Sequence, residues 1–143
     1  MRVTTKGEYG LRALVELASH EEGLLPSATI AARQKIPENY LSQLLLTLRK
    51  GGLVESVRGP AGGHMLARPA DQINLGEALD VLEGPFMPME CVTPGYDECC
   101  MVDGCSIRGV WRDLKVATDE ILYSTTLADL LPERSQPADL YFI

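Results

Sequence analysis

Two short amphipathic segments separated by a tight turn, between residues 27 and 52, constrain the fold of this chain more than any other feature. Apolar residues recur at helical spacing on both sides of the turn formed by Lys35 and Ile36. Ser27 is the expected N-cap of the first helix. Pro37 suits the start of the second, because the first N–H groups of a helix have no partner within it. The pattern predicts a helix-turn-helix.

The second helix of this pattern has a polar and basic face that its leucine stripe leaves exposed. Asparagine and glutamine can donate to and accept from a base edge, whereas arginine and lysine neutralise phosphates. A helix face that is simply solvated is the alternative interpretation. The candidate DNA contacts on this helix are Asn39, Ser42, Gln43, Arg49 and Lys50.

A β-hairpin is predicted directly after the helix-turn-helix. Residues 53–58 alternate apolar and polar side chains, RGPAGG at 58–63 has the composition of a turn, and 64–67 can return as a second strand. Such a hairpin forms a wing, and Arg58 at its tip is placed to reach a minor groove or the DNA backbone. The glycines are expected to leave room for the duplex. The predicted fold class is therefore mainly α with a small β-hairpin wing.

Three further helical segments are expected from apolar periodicity. The first covers about residues 4–20, and another is opened by a capping box of Asn74 and Glu77 and packs back on the winged domain. A longer helix begins near Cys105 and carries an apolar stripe over about four turns. No later segment is large enough to cover this stripe. The expected partner is the same helix of a second copy, in a two-fold homodimer.

These elements divide the chain into three parts. We predict a winged helix-turn-helix DNA-binding domain at 1–84, a cysteine-bearing loop at 85–104, and a dimerisation helix with a C-terminal tail at 105–143. Within the last part, Thr126 and Asp129 have the spacing of a second capping box before a short helix.

Charge is distributed unevenly along the chain, whose net charge is −7. Residues 1–68 carry nine Lys and Arg against six Asp and Glu, a balance of +3, and residues 69–143 carry four against fourteen, a balance of −10. This division suits a protein that presents one face to phosphate, although an acidic protein with uneven loops would give the same count. The N-terminus lacks an apolar signal-peptide core, and no run approaches a membrane span, so a cytoplasmic protein is expected.

All four cysteines lie within residues 90–108, ECVTPGYDECCMVDGCSIR. The stretch has no sustained apolar period and reads as a loop. In a reducing compartment a structural disulfide is not expected, whereas iron-sulfur clusters and zinc both select thiolates. Zinc sites usually use closely spaced cysteine pairs, so the spacing argues against zinc. A metal-free winged-helix regulator that uses its cysteines as a thiol redox switch, or that responds to a partner protein, remains an alternative. An enzyme is not expected, because no nucleophile has a placed base.

The chain resembles the Rrf2 family of bacterial transcriptional regulators. The resemblance rests on MRVTTKGEYGLRALVELA at the start, on LSQLL and LRKGGLVESVRGPAGGHMLARP, and on three cysteines before a Trp-containing helix. It covers residues 1 to about 131. It implies a winged helix-turn-helix homodimer with crossing C-terminal helices and an iron-sulfur cluster near the dimer interface. It also implies that Asn39, Ser42, Gln43 and Arg58 contact the double-stranded DNA operator.

The same resemblance suggests the cluster ligands. The spacing of Cys91, Cys99 and Cys105 is similar to that of RirA-type iron regulators. IscR-type members have a histidine three residues after the last cysteine, where this chain has Arg108. NsrR-like members complete the cluster with an acidic residue from the first helix of the opposite subunit, and Glu8 stands at the matching position. Glu8 or water would then be the fourth ligand of a 2Fe-2S or 4Fe-4S cluster.

Cys100 is the cysteine that this ligand set leaves over. It could replace Cys99, act as a resolving thiol, or have no role. Side chains of neighbouring residues diverge, so we predict that only Cys99 of the two is a ligand. The resulting hypothesis is a regulator that loses or changes its cluster in response to iron shortage, oxidants or nitric oxide, and thereby changes its affinity for DNA.

Overall fold

The computed structural model describes residues 2–20, 22–99, 101 and 103–132 of the chain. The architecture is mainly helical with one antiparallel hairpin, which confirms the predicted fold class. Among the described residues, no helix has the length and apolar character needed to cross a membrane. The elements are α1 (Thr5–Ser19), α2 (Ser27–Gln34), α3 (Glu38–Lys50), β1 (Val54–Val57), β2 (Gly63–Leu66), α4 (Leu75–Glu83) and α5 (Arg108–Ser124), with 3-10 turns at Ala70–Gln72, Glu90–Val92 and Ala128–Leu130.

One apolar core holds the first four helices together. Leu14 of α1, Ile30 of α2 and Leu44 and Leu48 of α3 are all buried in it. Each such side chain stabilises the fold by about 1.5–3 kcal/mol relative to an exposed position. Because these leucines occupy one side of α3, its opposite side is turned to the solvent.

The turn between α2 and α3 combines a strained residue with a buried one. Lys35 has a φ of +54°, in the left-handed region, which costs an L-residue about 1–2 kcal/mol. Ile36 is buried in the core, and its N–H donates to the carbonyl of Ala31 at 3.0 Å. The predicted N-cap was wrong, because α2 begins at Ser27 itself. Pro26 occupies the cap position, and no side chain caps the helix there.

The wing is fixed to the body at its base. Its strands pair antiparallel with Val54 opposite Leu66, and they begin and end within a residue of the predicted bounds. The backbones of Leu25 and His64 exchange two hydrogen bonds of 2.9 Å, so the segment between α1 and α2 pairs with β2. The base of the hairpin therefore moves with the helix-turn-helix, while its tip projects from it.

The start of α4 forms half of the predicted capping box. The Oδ1 atom of Asn74 accepts the N–H of Glu77 at 2.8 Å, but the Glu77 carboxylate forms an ion pair with Arg68. At the other end of α4, Glu83 accepts the N–H of Thr4 at 2.7 Å. This contact joins the C-terminus of α4 to the start of α1, and α4 packs on α1 and α3 as predicted.

Helix α5 packs against α4 along one side. It begins at Arg108, three residues later than predicted. The ring of Tyr123 covers Gly76 so closely that a Cβ there would lie 2.6 Å from the ring. The Tyr123 hydroxyl donates to Asp80, and this bond raises the pKa of the phenol to about 12. The phenol therefore stays a donor at physiological pH, and it fastens α5 to α4.

The other side of α5 is apolar and exposed. Its side chains are between 43% and 64% exposed: Ile107, Val110, Leu114 and Ile121. No residue of α5 is fully buried in the described part of the chain. A helix with this pattern normally covers such a stripe with another helix.

The chain returns to the winged domain after α5. Thr126 and Asp129 cap each other reciprocally, at 2.9 and 3.3 Å, as predicted, although the element that they open is a 3-10 turn. Leu127 is completely buried in the core, and its N–H donates to the carbonyl of Ile73 at 2.9 Å. The C-terminal end of α5 is therefore anchored in the winged domain.

Candidate functional site

The exposed face of α3 carries every DNA contact that the sequence predicts on this helix. The hydroxyl of Ser42 donates to the carbonyl of Glu38 at 3.0 Å, which leaves its oxygen able to accept a further hydrogen bond. All of the predicted side chains are exposed: Asn39, Ser42, Gln43, Arg49 and Lys50. Polar groups and positive charge therefore lie together on one surface.

A groove of about 570 Å³ separates this face from the wing. Arg49 of α3 and Arg58 of the wing both line it, so the two cations share one concave surface. Leu46 and Val57 also line it and are 42% and 55% exposed. The sequence analysis did not identify these two apolar residues. Leu46 follows Ser42 by one helical turn, which is the signal that places it on the polar face, where a leucine can contact a thymine methyl group.

Close backbone packing shapes the tip of the wing. A Cβ at Gly62 would lie 2.1 Å from the carbonyl oxygen of Val57, which no side chain tolerates. The N–H of Gly62 donates to the carbonyl of Gly59 at 2.9 Å. Glycine is therefore required at position 62 by the wing itself, in addition to any clearance that it gives a duplex.

His64 lies beneath the groove as a strand residue, as predicted. Its Nδ1 atom is 2.7 Å from the hydroxyl of Ser56 on the neighbouring strand. Burial, and then the nearby charge of Arg49, lower the pKa of the imidazole. His64 is therefore neutral at physiological pH, and the groove's positive charge comes from its arginines.

The fold brings three of the cysteines to a single pocket. Cys91, Cys99 and Cys105 all line a cavity of about 540 Å³, and each is a partly exposed free thiol. Cys91 comes from a 3-10 turn, Cys99 from the loop, and Cys105 from the segment before α5. Cys100 lies outside the described residues. The sequence-predicted thiols therefore share one site at the start of α5.

Arg108 links two segments of this site by hydrogen bonds. Its Nε and Nη2 atoms donate to the carbonyl oxygen of Cys91 at 3.0 and 2.9 Å. The first residue of α5 thus holds the backbone of a residue 17 positions earlier. The sequence analysis treated Arg108 only as a replacement for histidine and missed this clamp.

Two aromatic side chains complete the walls of the pocket. Desolvation, and then the carboxylates of Glu90 and Glu98 with the nearby cysteines, raise the pKa of the Tyr96 phenol, which stays protonated. Trp111 lines the pocket from α5. Its Nε1 atom is buried and has no hydrogen-bond partner among the described residues. An indole N–H in this state is unusual, since buried donors are nearly always paired.

The donor set of this pocket fits an iron-sulfur cluster. Three soft thiols surround one cavity, and a buried N–H stands in its wall. Within the described part of the chain, no three His, Cys, Asp or Glu side chains already converge on the position of one metal ion. Glu8 does not line this pocket. Its side chain is 63% exposed on α1 and pairs with Arg12 at 3.5 Å, so a ligand role for it needs a second subunit.

Comparisons with known proteins agree with the fold. The Rrf2 family model, described as an iron-dependent transcriptional regulator, matches residues 3–133. The regulator IscR of Sodalis glossinidius is 41% identical over 132 residues, which are 92% of this chain and 79% of that protein. The structure of CymR, described as the global cysteine regulator of B. subtilis, is 39% identical with a TM-score of 0.75, covering 91% of this chain and 95% of that one.

A second solved structure, IscR of T. potens, is 38% identical with a TM-score of 0.73 and covers 99% of this chain and 93% of that one. These relatives are named as regulators rather than enzymes, in agreement with the sequence analysis. The more specific similarity to RirA-type members stays a prediction.

Proposed function

This chain belongs to the Rrf2 family of transcriptional regulators, and we propose that it is a homodimeric sensor in which an iron-sulfur cluster controls operator binding. The observation that carries the proposal is the single pocket lined by Cys91, Cys99 and Cys105 at the start of α5. In this proposal the three thiolates hold the cluster. The fourth ligand is Glu8 from the first helix of the other subunit, or water. A carboxylate or water ligand is more labile than a thiolate, which suits a cluster that must be lost or altered.

The DNA-binding half of the proposal places α3 in the major groove. Asn39 and Gln43 then face base edges with Ser42, while Arg49 and Lys50 face phosphates. Arg58 at the wing tip lies against the minor groove or the backbone. Such a regulator works in the cytoplasm, where the DNA is and where thiols stay reduced.

The coupling between the two sites follows from how α5 is held. Arg108 clamps its first residue to Cys91, and Leu127 anchors the segment after it in the winged core. When bound, the cluster supplies bonds that join the three cysteine segments to one another. Loss of those bonds releases the loop at the start of α5, changes the preferred dimer geometry, and so changes the spacing of the two recognition helices that DNA reads. A coupling of about 1–3 kcal/mol is ordinary for such a device.

Alanine substitution of the two groove arginines tests the proposed DNA-binding surface of the protein. Arg49→Ala and Arg58→Ala should each weaken binding and reduce the slope of log affinity against log salt by about one, because each removes a positive charge that displaces counterions from the DNA. The measurement is fluorescence anisotropy between about 50 and 200 mM salt, with a duplex that the wild-type protein selects from a random pool. Arg112→Ala, an exposed change on α5, is the matched control and should leave the slope unchanged. Unchanged slopes in both groove variants would contradict this surface.

The sensor function is tested by comparing loaded and cluster-free protein on the same selected duplex. Protein purified without oxygen should differ in affinity from protein stripped by chelator by about 5- to 150-fold, which is the usual range of an allosteric coupling. Either sign supports the coupling. Equal affinities in the presence of a verified cluster would contradict it.

A cluster-free thiol switch is the second candidate, and the similarity to CymR and the three free thiols favour it. In that case the metal-free protein should change its DNA affinity on treatment with peroxide and recover with a dithiol. No iron or sulfide would then copurify with the protein, and the cluster-loaded form would not be found.

A further inference from the structure

The buried Nε1–H group of Trp111 is a polar group that the proposed ligand set leaves unused. Trp111 lies one helical turn beyond the end of the cysteine loop, on the side of α5 that faces the body of the protein. It lines the same cavity as Cys91, Cys99 and Cys105, and its Nε1 atom has no acceptor among the described residues.

Leaving such a donor unpaired is costly. A buried N–H without an acceptor destabilises a protein by about 1–3 kcal/mol, whereas phenylalanine or leucine would fill the same space without that penalty. Most side chains that line the pocket are apolar or thiols, and its polar ones, Glu90, Tyr96 and Arg108, do not pair with the indole N–H. A group bound in the pocket, a water molecule there or a second subunit can therefore supply the missing acceptor.

We propose that Trp111 is a positioning residue whose indole N–H donates a hydrogen bond to a sulfur atom of the bound cluster, either a bridging sulfide or a cysteine thiolate. This inference rests on the proposed function, because it requires a cluster in the pocket. Hydrogen bonds to the sulfurs are among the factors that set cluster potential and stability. A bond of this kind stabilises the reduced state, which carries more negative charge on sulfur, and makes the cluster easier to reduce.

The chain offers a clean test, since Trp111 is its only tryptophan. Growth of a tryptophan auxotroph on 3-benzothienylalanine replaces this residue alone, keeps the shape of the ring system and removes the N–H. Trp111→Phe provides a second, genetically encoded removal. Circular dichroism and iron and sulfide content first establish that each protein is folded and loaded.

The decisive readout is pulsed ENDOR spectroscopy of the reduced, paramagnetic cluster in H₂O and D₂O. The native protein should show an exchangeable N–H proton coupling that both replacements lack. At a fixed potential the ratio of reduced to oxidised cluster should fall by about tenfold in both, as expected for one hydrogen bond to a charged group. Tyr96→Phe, which removes a hydroxyl from the same pocket, should keep the tryptophan coupling.

The outcomes that would contradict the role of Trp111 can be distinguished from the outcome that would contradict the cluster itself. A loaded cluster whose coupling and reduction curve are unchanged by both replacements would overturn the role of Trp111 and leave the cluster proposal standing. An indole N–H that exchanges with D₂O equally slowly in cluster-free and loaded protein would show that its protection does not come from the cluster and would also overturn this role. Native protein without iron or sulfide would overturn both proposals together.

Discussion

Alanine substitution of Cys91, Cys99 or Cys105 should in each case remove the visible absorption of protein purified without oxygen. It should also lower the iron and sulfide content by at least about tenfold. Loss of a group that merely orients a ligand already weakens metal binding about 10- to 100-fold, and loss of a thiolate ligand must exceed that. Each of the three lines the same pocket, so each variant leaves two of its described thiolates and a labile fourth ligand. The measurement is an absorption spectrum with iron and sulfide analysis on all variants.

Cys100→Ala is the matched control, because it removes a thiol from the residue next to Cys99. It should keep the chromophore and the iron of the wild-type protein. A chromophore that is lost in Cys100→Ala and kept in Cys99→Ala would exchange the two residues in the ligand set. A wild-type protein that contains no iron under these conditions would contradict the cluster itself and favour the thiol switch.

The helical half of the fold follows from the sequence because periodicity reports which side of each helix is buried. The leucines of α3 recur at helical spacing, and the structure buries those that face α1 and α2. Helix ends are harder to predict, because local side chains compete for the caps. Ser27 is an acceptable N-cap by type, yet Pro26 holds that position, and Glu77 pairs with Arg68 in place of closing its capping box.

The cysteine site, like the fold, could be predicted from the sequence only in part. A cysteine-rich loop with bends predicts that thiols will gather, and three of them do line one cavity. The groups around them depend on contacts between distant residues, which no local pattern reports. Arg108 reaches back to Cys91, and Trp111, which reads as one more apolar position of α5, lies on the pocket side with its N–H buried. Leu46 was missed because polarity and charge, which identify candidate DNA contacts on α3, do not identify an apolar side chain.

The exposed stripe of α5 has the geometry of a dimer seam. Starting from Ile107, its members follow one another at intervals of three, four, three and four residues: Ile107, Val110, Leu114, Ala117 and Ile121. Alternation of three and four residues keeps side chains on one side of a helix and is the pattern of paired helices. Trp111 and Leu122 lie on a neighbouring side and are partly covered by their own subunit. The helix thus has one face covered by its own domain and another that is exposed, on which we propose that a second copy packs.

Leu114→Glu should convert the dimer to a monomer at micromolar concentration and weaken operator binding by at least about 100-fold. Leu114 occupies the middle of the stripe, so a glutamate there would be buried without a partner in each subunit. Two linked recognition helices bind DNA about 10²- to 10⁴-fold more tightly than one, and a monomer loses this gain in affinity. Light scattering after size-exclusion chromatography measures the mass, and anisotropy with the selected duplex measures the affinity.

Val116→Glu is the matched control for this change. Val116 is equally a large apolar residue of α5 and is 65% exposed, but helical spacing puts it on the side opposite the stripe, near Arg112, Asp113 and Glu120. The Val116 variant should remain a dimer with wild-type affinity, because its carboxylate stays in water. If Leu114→Glu also remains a dimer, the seam lies elsewhere on the molecule, and the coupling of the cysteine pocket to the spacing of the recognition helices loses its mechanical basis. A monomer that still binds the full operator at wild-type strength would separate DNA recognition from dimerisation altogether.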